Sequence, residues 1–131
     1  MNILIVDDIK SWRDFHTYVL RNIYPSGADI DFASSAREGY NLALNYKTKI
    51  YDLIISDLQM ESDYEPEHAG EWMVREIKLL DKYKNTPIII ISASYDIDIV
   101  AQKLGVEFIK KSSLIANPQL LRYKLEEFQL L

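Results

Sequence analysis

The stretch Ile3-Leu4-Ile5-Val6-Asp7-Asp8 places two acidic residues directly after a short apolar run. Three later apolar runs also end in polar residues, which are, in chain order, Ser56-Asp57, Ser92 and Lys110-Lys111. Short runs rich in isoleucine and valine are typical of strands that are covered on both faces of a parallel sheet. Because ligands bind at the carboxyl ends of such strands, we expect these polar residues to meet at one edge of the sheet.

Segments with helical spacing of apolar residues separate the predicted strands. The first extends from Ile9 to Ile23, and a further short strand is predicted over residues 28–32. Ser34 or Ser35 can cap the next helix, because both hydroxyls precede a run of helical periodicity. Alternating strands and helices predict an α/β fold with a parallel sheet and right-handed crossovers, formed as a single domain over residues 1–131.

The composition excludes several classes of function. The chain has 15 basic and 20 acidic residues and a net charge of −5, which argues against nucleic acid or an anionic membrane as its ligand. There is no cysteine, so disulfides and thiolate metal sites are excluded. No apolar run approaches the roughly 20 residues of a membrane span, and we expect a cytoplasmic protein.

The polar residues at the strand ends have a clear chemical meaning as a set. Three carboxylates, a hydroxyl and an ammonium together predict a metal site beside a nucleophilic aspartate, with groups that can hold a phosphoryl. Taken singly, each has a simpler interpretation: Asp7 and Asp8 as a helix cap and a loop acid, Ser92 as a turn residue. His16 and His68 are interpreted as surface or boundary residues, and the tryptophans as packing residues.

The stretches 3–8, 52–60, 87–93 and 108–111 resemble, in this order, the motifs of the receiver domain of two-component response regulators. The similarity extends over essentially the whole chain. It implies a flavodoxin-like (CheY-like) three-layer α/β/α sandwich around a five-stranded parallel sheet with strand order 2-1-3-4-5. It also implies a switch that catalyses its own phosphorylation and slow dephosphorylation, and is otherwise not an enzyme.

The resemblance also implies a role for each matching residue. Asp57 would be the phosphoacceptor, and Ser92 and Lys111 would each contact a phosphoryl oxygen after transfer. Mg²⁺ would be held by Asp8 and Asp57, by Asp7 mainly through a water, and by the backbone carbonyl of Gln59. Ser92 and Phe108 would be the switch residues, although an aromatic residue in a strand is also often simply part of the core.

Two departures from the family pattern affect these expectations. Glu61 follows Met60 where family members usually have proline, so residues 61–69 are interpreted as an acidic insertion. It is either a solvated loop or a segment that tunes partner choice or water access. Ser112 also replaces a proline, so the Lys111–Ser112 bond is either trans or cis at a cost of about 2.5–4 kcal/mol. The position of the lysine is then less certain, and Lys110 is kept as the alternative.

The expected partners are a histidine kinase or phosphotransfer protein, together with a downstream effector or a second copy of the chain. Three alternatives remain beside this interpretation. The first is a pseudo-receiver, which binds proteins without being phosphorylated. The second is a small Mg²⁺-dependent phosphohydrolase, which would favour an acid where Gln59 stands. The third, a flavodoxin-like nucleotide binder, is disfavoured because no glycine-rich loop follows the first strand.

Overall fold

A computed structural model describes residues 1–45, 50–60, 65 and 68–131. Five strands are present in this part of the chain: β1 (Asn2–Val6), β2 (Asp29–Ala33), β3 (Leu53–Ser56), β4 (Ile88–Ser92) and β5 (Glu107–Lys110). The α-helices are α1 (Lys10–Ile23), α2 (Ala36–Leu44), α3 (Ala69–Lys78), α4 (Ile97–Leu104), α5 (Lys111–Ala116) and α6 (Gln119–Glu127). A short 3₁₀ turn covers Asp81–Tyr83.

The strands form one parallel sheet in the order β2-β1-β3-β4-β5, which confirms the predicted flavodoxin-like topology. The chain moves outward from β1 to β2 and then returns to place β3 on the other side of β1. Val6 pairs with Ser56, so that β1 and β3 end side by side. This reversal of strand order is the point where ligands bind in open α/β sheets.

The two faces of the sheet bury separate hydrophobic clusters. Alternate residues of β1 point to opposite faces: Leu4 packs with residues of α2 and α3, whereas Ile3 packs with residues of α1, α5 and α6. A smaller cluster lies beneath α4 and contains Leu58, Ile90, Ile97 and Ala101. Helices therefore cover both faces, and the molecule has the three layers predicted from the sequence.

Local signals set several of the helix boundaries. The Ser35 side chain caps α2 by accepting a hydrogen bond from the Glu38 backbone N–H, as predicted for one of the two candidate serines. Gly105 ends α4 in the left-handed conformation, with φ of 70°. Helix α5 was not predicted, because its six residues are too few to show a helical period.

Four further predictions concern a peptide bond, a histidine, the acidic insertion and membrane spans. The Lys111–Ser112 peptide bond is trans. The prediction that His16 is a surface or boundary residue is wrong, since its side chain is buried in α1. Of the proposed insertion at 61–69, residues 61–64 and 66–67 lie outside the described part of the chain. In the part that is described, the helices are too short or too polar for any of them to span a bilayer.

Candidate functional site

The loop after β1 fixes the first acidic pair. The Asp7 side chain is 1% exposed, and its Oδ1 accepts a hydrogen bond of 2.9 Å from the Ile9 backbone N–H. The Arg13 guanidinium, on α1, donates to the Asp7 carbonyl at 2.8 Å. Asp8 is only half-buried. The loop therefore holds one carboxylate inside the protein and leaves the next one near solvent.

Asp57 stands directly after β3, next to the first loop. Its backbone N–H donates to the Val6 carbonyl at 3.0 Å, and its Oδ1 accepts from the Leu58 N–H at 2.7 Å. Gly70, at the start of α3, packs against this segment and donates its N–H to the Leu58 carbonyl. A Cβ at position 70 would lie 2.0 Å from the Asp57 carbonyl oxygen, so only glycine fits there without a backbone shift.

Lys111 places an ammonium group beside two of the carboxylates. Its Nζ lies 2.8 Å from Asp57 Oδ2 and 3.1 Å from Asp7 Oδ2, and its side chain is 7% exposed. Lys110 is exposed instead. This difference arises because β5 ends at Lys110 and α5 begins at Lys111. Of the two candidate lysines, Lys111 is the one that the fold brings to the acids.

The remaining predicted site residues are Ser92, Phe108 and Gln59. Ser92 is buried at the end of β4, where its hydroxyl donates to the Ser94 hydroxyl at 3.1 Å and accepts from the Ser94 N–H at 3.2 Å. Phe108 is partly buried against the cluster that includes Leu58. Gln59 is exposed. Ser92 thus bonds within its own loop. Phe108 packs against a cluster that contains Leu58, the residue that follows Asp57.

The three carboxylates form a set that suits a hard divalent cation. Asp7, Asp8 and Asp57 each offer an oxygen, and these atoms lie within 4.8 Å of one another. Burial is the main factor that raises the pKa of Asp7, and the charge of Asp57 raises it further, while the Ile9 N–H and Lys111 oppose the rise. The buried Asp7 Oδ2 pairs with Lys111 by charge, yet it has no hydrogen-bond partner among the described residues. These donors fit Mg²⁺, which prefers oxygen ligands.

The sequence analysis did not predict that Trp12 and His16 of α1 lie close to the site. Lys111 Nζ lies 4.7 Å from the centroid of the Trp12 ring, and Trp12 is followed one turn later by the buried His16. Burial and the charge of Lys111 lower the pKa of His16 to about 4. The helical spacing of Trp12, Phe15 and Val19 marked this side of α1 as apolar. The same spacing did not show that Trp12, on this side of α1, contacts Lys111.

Comparisons with known proteins identify the family and the fold of the chain. The sequence model of the response regulator receiver domain family matches residues 3–116. No curated protein sequence matches the chain. Among solved structures, chemotaxis protein CheY4 of Vibrio cholerae is similar, with 25% identity, 97% of each chain covered and a TM-score of 0.74.

Two further solved structures support the fold. The signal receiver domain of a DNA binding response regulator from Colwellia psychrerythraea 34H has 23% identity and a TM-score of 0.79, with 100% of this chain and 99% of that chain covered. The phosphorylated cyanobacterial phytochrome response regulator RcpA has 23% identity and a TM-score of 0.74, with 98% and 93% covered. Since the family match spans most of the chain, the protein belongs to the receiver domains of two-component response regulators, which are signalling switches.

Proposed function

We propose that this domain accepts a phosphoryl group on Asp57 in a Mg²⁺-dependent reaction. The donor would be a phosphohistidine on a histidine kinase or a phosphotransfer protein. The observation that carries the proposal is the position of Asp57: its carboxylate lies 2.8 Å from the Lys111 ammonium and within 4.8 Å of two other carboxylates. A lone surface aspartate would have neither the counter-charge nor the neighbouring ligands.

The reaction requires a fixed, ionised carboxylate. An oxygen of Asp57 attacks phosphorus, a P–O bond forms, and the P–N bond breaks as its electron pair leaves on the donor imidazole. The Leu58 N–H and the Lys111 ammonium each bond one oxygen of Asp57, which fixes the rotation of the carboxylate before the donor arrives. Lys111 would then pair with a phosphoryl oxygen, since phosphoryl transfer depends mainly on positioning and charge neutralisation.

The acidic group would hold the cation. Asp8 and Asp57 would be ligands, Asp7 would act mainly through a bound water, and Gln59 would contribute its backbone carbonyl. When bound, Mg²⁺ neutralises charge on the phosphoryl oxygens. Asp7 is buried beside a second carboxylate, and this local excess of negative charge favours binding of a cation.

The switch would operate through Ser92 and Phe108. In this structure the Ser92 hydroxyl donates to Ser94, so it can exchange that partner for a phosphoryl oxygen without leaving a buried donor unsatisfied. Phe108 packs against the cluster that contains Leu58 and two residues of α4, Ile97 and Ala101. A shift of the loops after β3 and β4 would therefore change how Phe108 and α4 pack, and with them a surface that partners contact.

Acetyl phosphate, a small phosphodonor, tests the proposal without a kinase. We expect incubation with Mg²⁺ to add one phosphoryl group to the wild-type protein, as seen by intact mass, and Asp57→Asn to abolish the modification. Asp52→Asn, at the opposite end of β3, is the matched control and should be modified like wild type. An unmodified wild-type protein would indicate a pseudo-receiver, and a modified Asp57→Asn variant would place the acceptor elsewhere.

A further inference from the structure

We infer that Trp12 is a positioning residue for phosphoryl transfer: its ring face holds the Lys111 ammonium against Asp57. The inference deepens the proposed function and rests on it for the role of the lysine. Trp12 would then have a functional role in addition to its packing on α1.

The Lys111 ammonium lies close to two carboxylates and an aromatic ring. Asp57 Oδ2 lies at 2.8 Å, Asp7 Oδ2 at 3.1 Å, and the centroid of the Trp12 ring at 4.7 Å. An ammonium is attracted to the negative face of an indole ring, most strongly where water is excluded. Lys111 is largely shielded from water, since its side chain is 7% exposed. The ring face therefore contacts the cation in addition to the two carboxylates.

The Trp12 ring is itself held in place. It meets Phe15 edge to face, with centroids 5.5 Å apart and an interplanar angle of 89°, and it lies 5.6 Å from the ring of His16. His16 is buried, and its pKa of about 4 keeps it neutral at physiological pH. Trp12, Phe15 and His16 of helix α1 thus form a packed group of rings beside the lysine, and these rings carry no positive charge of their own.

The contact matters because lysine is a long, flexible side chain. Holding its ammonium in one place costs rotamer entropy, which a rigid site reduces by limiting the alternatives. If the ring face is made less negative, the ammonium is held less firmly beside Asp57. Phosphorylation should then slow, while the packing of α1 stays the same.

The chain contains a matched control for this contact. It has two tryptophans, and the second, Trp72 on α3, also lies under a cation: the Arg37 guanidinium carbon is 4.7 Å from its ring centroid. Both rings are partly buried. The difference is that Arg37 is exposed between α2 and α3, whereas Lys111 belongs to the candidate site.

Fluorinated tryptophans separate electrostatics from packing, since fluorine withdraws charge from the ring face with little change of shape. In a Trp72→Phe protein, where Trp12 is the remaining tryptophan, we replace it with mono-, di- and trifluorotryptophan. The rate of phosphorylation by acetyl phosphate with Mg²⁺ should fall stepwise, by about ten-fold over the series. In a Trp12→Phe protein, the same series at Trp72 should leave the rate unchanged. Equal rates across the Trp12 series, or equal losses in both series, would overturn the inference.

A second measurement does not depend on phosphorylation. In the metal-free protein, NMR should find the Lys111 Cε protons shifted upfield by the ring current of Trp12, and Trp12→Leu should remove that shift. The Lys110 protons serve as the internal reference. If wild type is not phosphorylated, the proposed function fails, and an absent upfield shift would separately overturn the contact between Trp12 and Lys111.

Discussion

Asp52 and Lys78, near the amino ends of the strands, bond to different kinds of partner from the charged residues of the candidate site at the carboxyl ends. At the amino ends of the strands, Asp52 accepts a 2.7 Å hydrogen bond from the Asn2 backbone N–H and donates its own N–H to the Asn2 carbonyl. Lys78 donates to the carbonyl oxygens of Leu104 and Gly105, at the end of α4. Each of these two side chains bonds to backbone groups and is partly exposed to solvent.

At the carboxyl ends, charges meet other charges. Asp7, Asp57 and Lys111 are all buried, and one ammonium faces two buried carboxylates with a third acid beside them. Removing charged groups from water costs several kcal/mol per ion unless partners compensate for it. Burying these charges together therefore lowers the stability of the fold at the candidate site. The same grouping is the one that the proposed cation and phosphoryl group would require.

Replacing Lys111 should produce the largest loss of stability. Lys111→Met leaves Asp7 and Asp57 buried without their counter-charge, and breaking a buried ion pair in this way costs about 3–5 kcal/mol. We expect urea unfolding in the absence of Mg²⁺ to give a free energy of unfolding lower by this amount. Saturating Mg²⁺ should reduce the deficit, because the cation compensates the same carboxylates.

Lys110→Met provides the matched control, since it changes the neighbouring lysine in the same way. Lys110 is exposed, and surface substitutions usually change the free energy of unfolding by less than about 0.5 kcal/mol. Equal losses in the two variants would mean that the buried pairing of Lys111 does not distinguish this end of the sheet.

His16 should make stability depend on pH. Its pKa is about 4 in the folded protein, against 6.5 for an ordinary histidine, because it is buried and close to Lys111. Between these values the unfolded chain binds a proton that the folded chain excludes. The contribution of His16 to the free energy of unfolding therefore falls as pH drops from 6.5 toward 4, by about 3 kcal/mol.

Chemical denaturation at several pH values between 7 and 5 tests this prediction. His16→Leu should flatten the dependence on pH in this range relative to wild type. His68→Leu, which changes the exposed histidine, should leave the wild-type slope unchanged. A His16→Leu protein with the wild-type slope would show that His16 titrates normally in the folded state.

The sequence predicted those features that follow from where strands end. Parallel strands share a direction, so Asp7, Asp57 and Ser92 were predicted at one edge of the sheet once the strand order was known, and the resemblance supplied that order. The side chains of α1 near the site could not be predicted in this way. Trp12 contacts Lys111, and His16 lies within the influence of its charge, because α1 packs on the sheet at a particular rotation, which the helical period does not determine. The choice between Lys110 and Lys111 likewise depended on the residue at which β5 gives way to α5.

Mg²⁺ should stabilise the protein by binding only at the carboxyl ends of the strands. A ligand that binds only the folded state stabilises it by about 2.7 kcal/mol at a concentration 100 times its dissociation constant. We expect thermal unfolding to shift upward with Mg²⁺ and to return to its original midpoint when EDTA removes the metal. Asp8→Asn should reduce the shift, because it removes one of the three grouped carboxylates.

Asp52→Asn supplies the comparison at the other end of the sheet. It also replaces a half-buried aspartate with an amide, and it weakens the hydrogen bond from the Asn2 N–H, so the protein should be somewhat less stable with or without metal. Its response to Mg²⁺ should nevertheless equal that of wild type, since Asp52 is outside the carboxylate group. A reduced response would mean that Mg²⁺ acts through the general acidity of the protein, because both variants lower the net negative charge by the same amount.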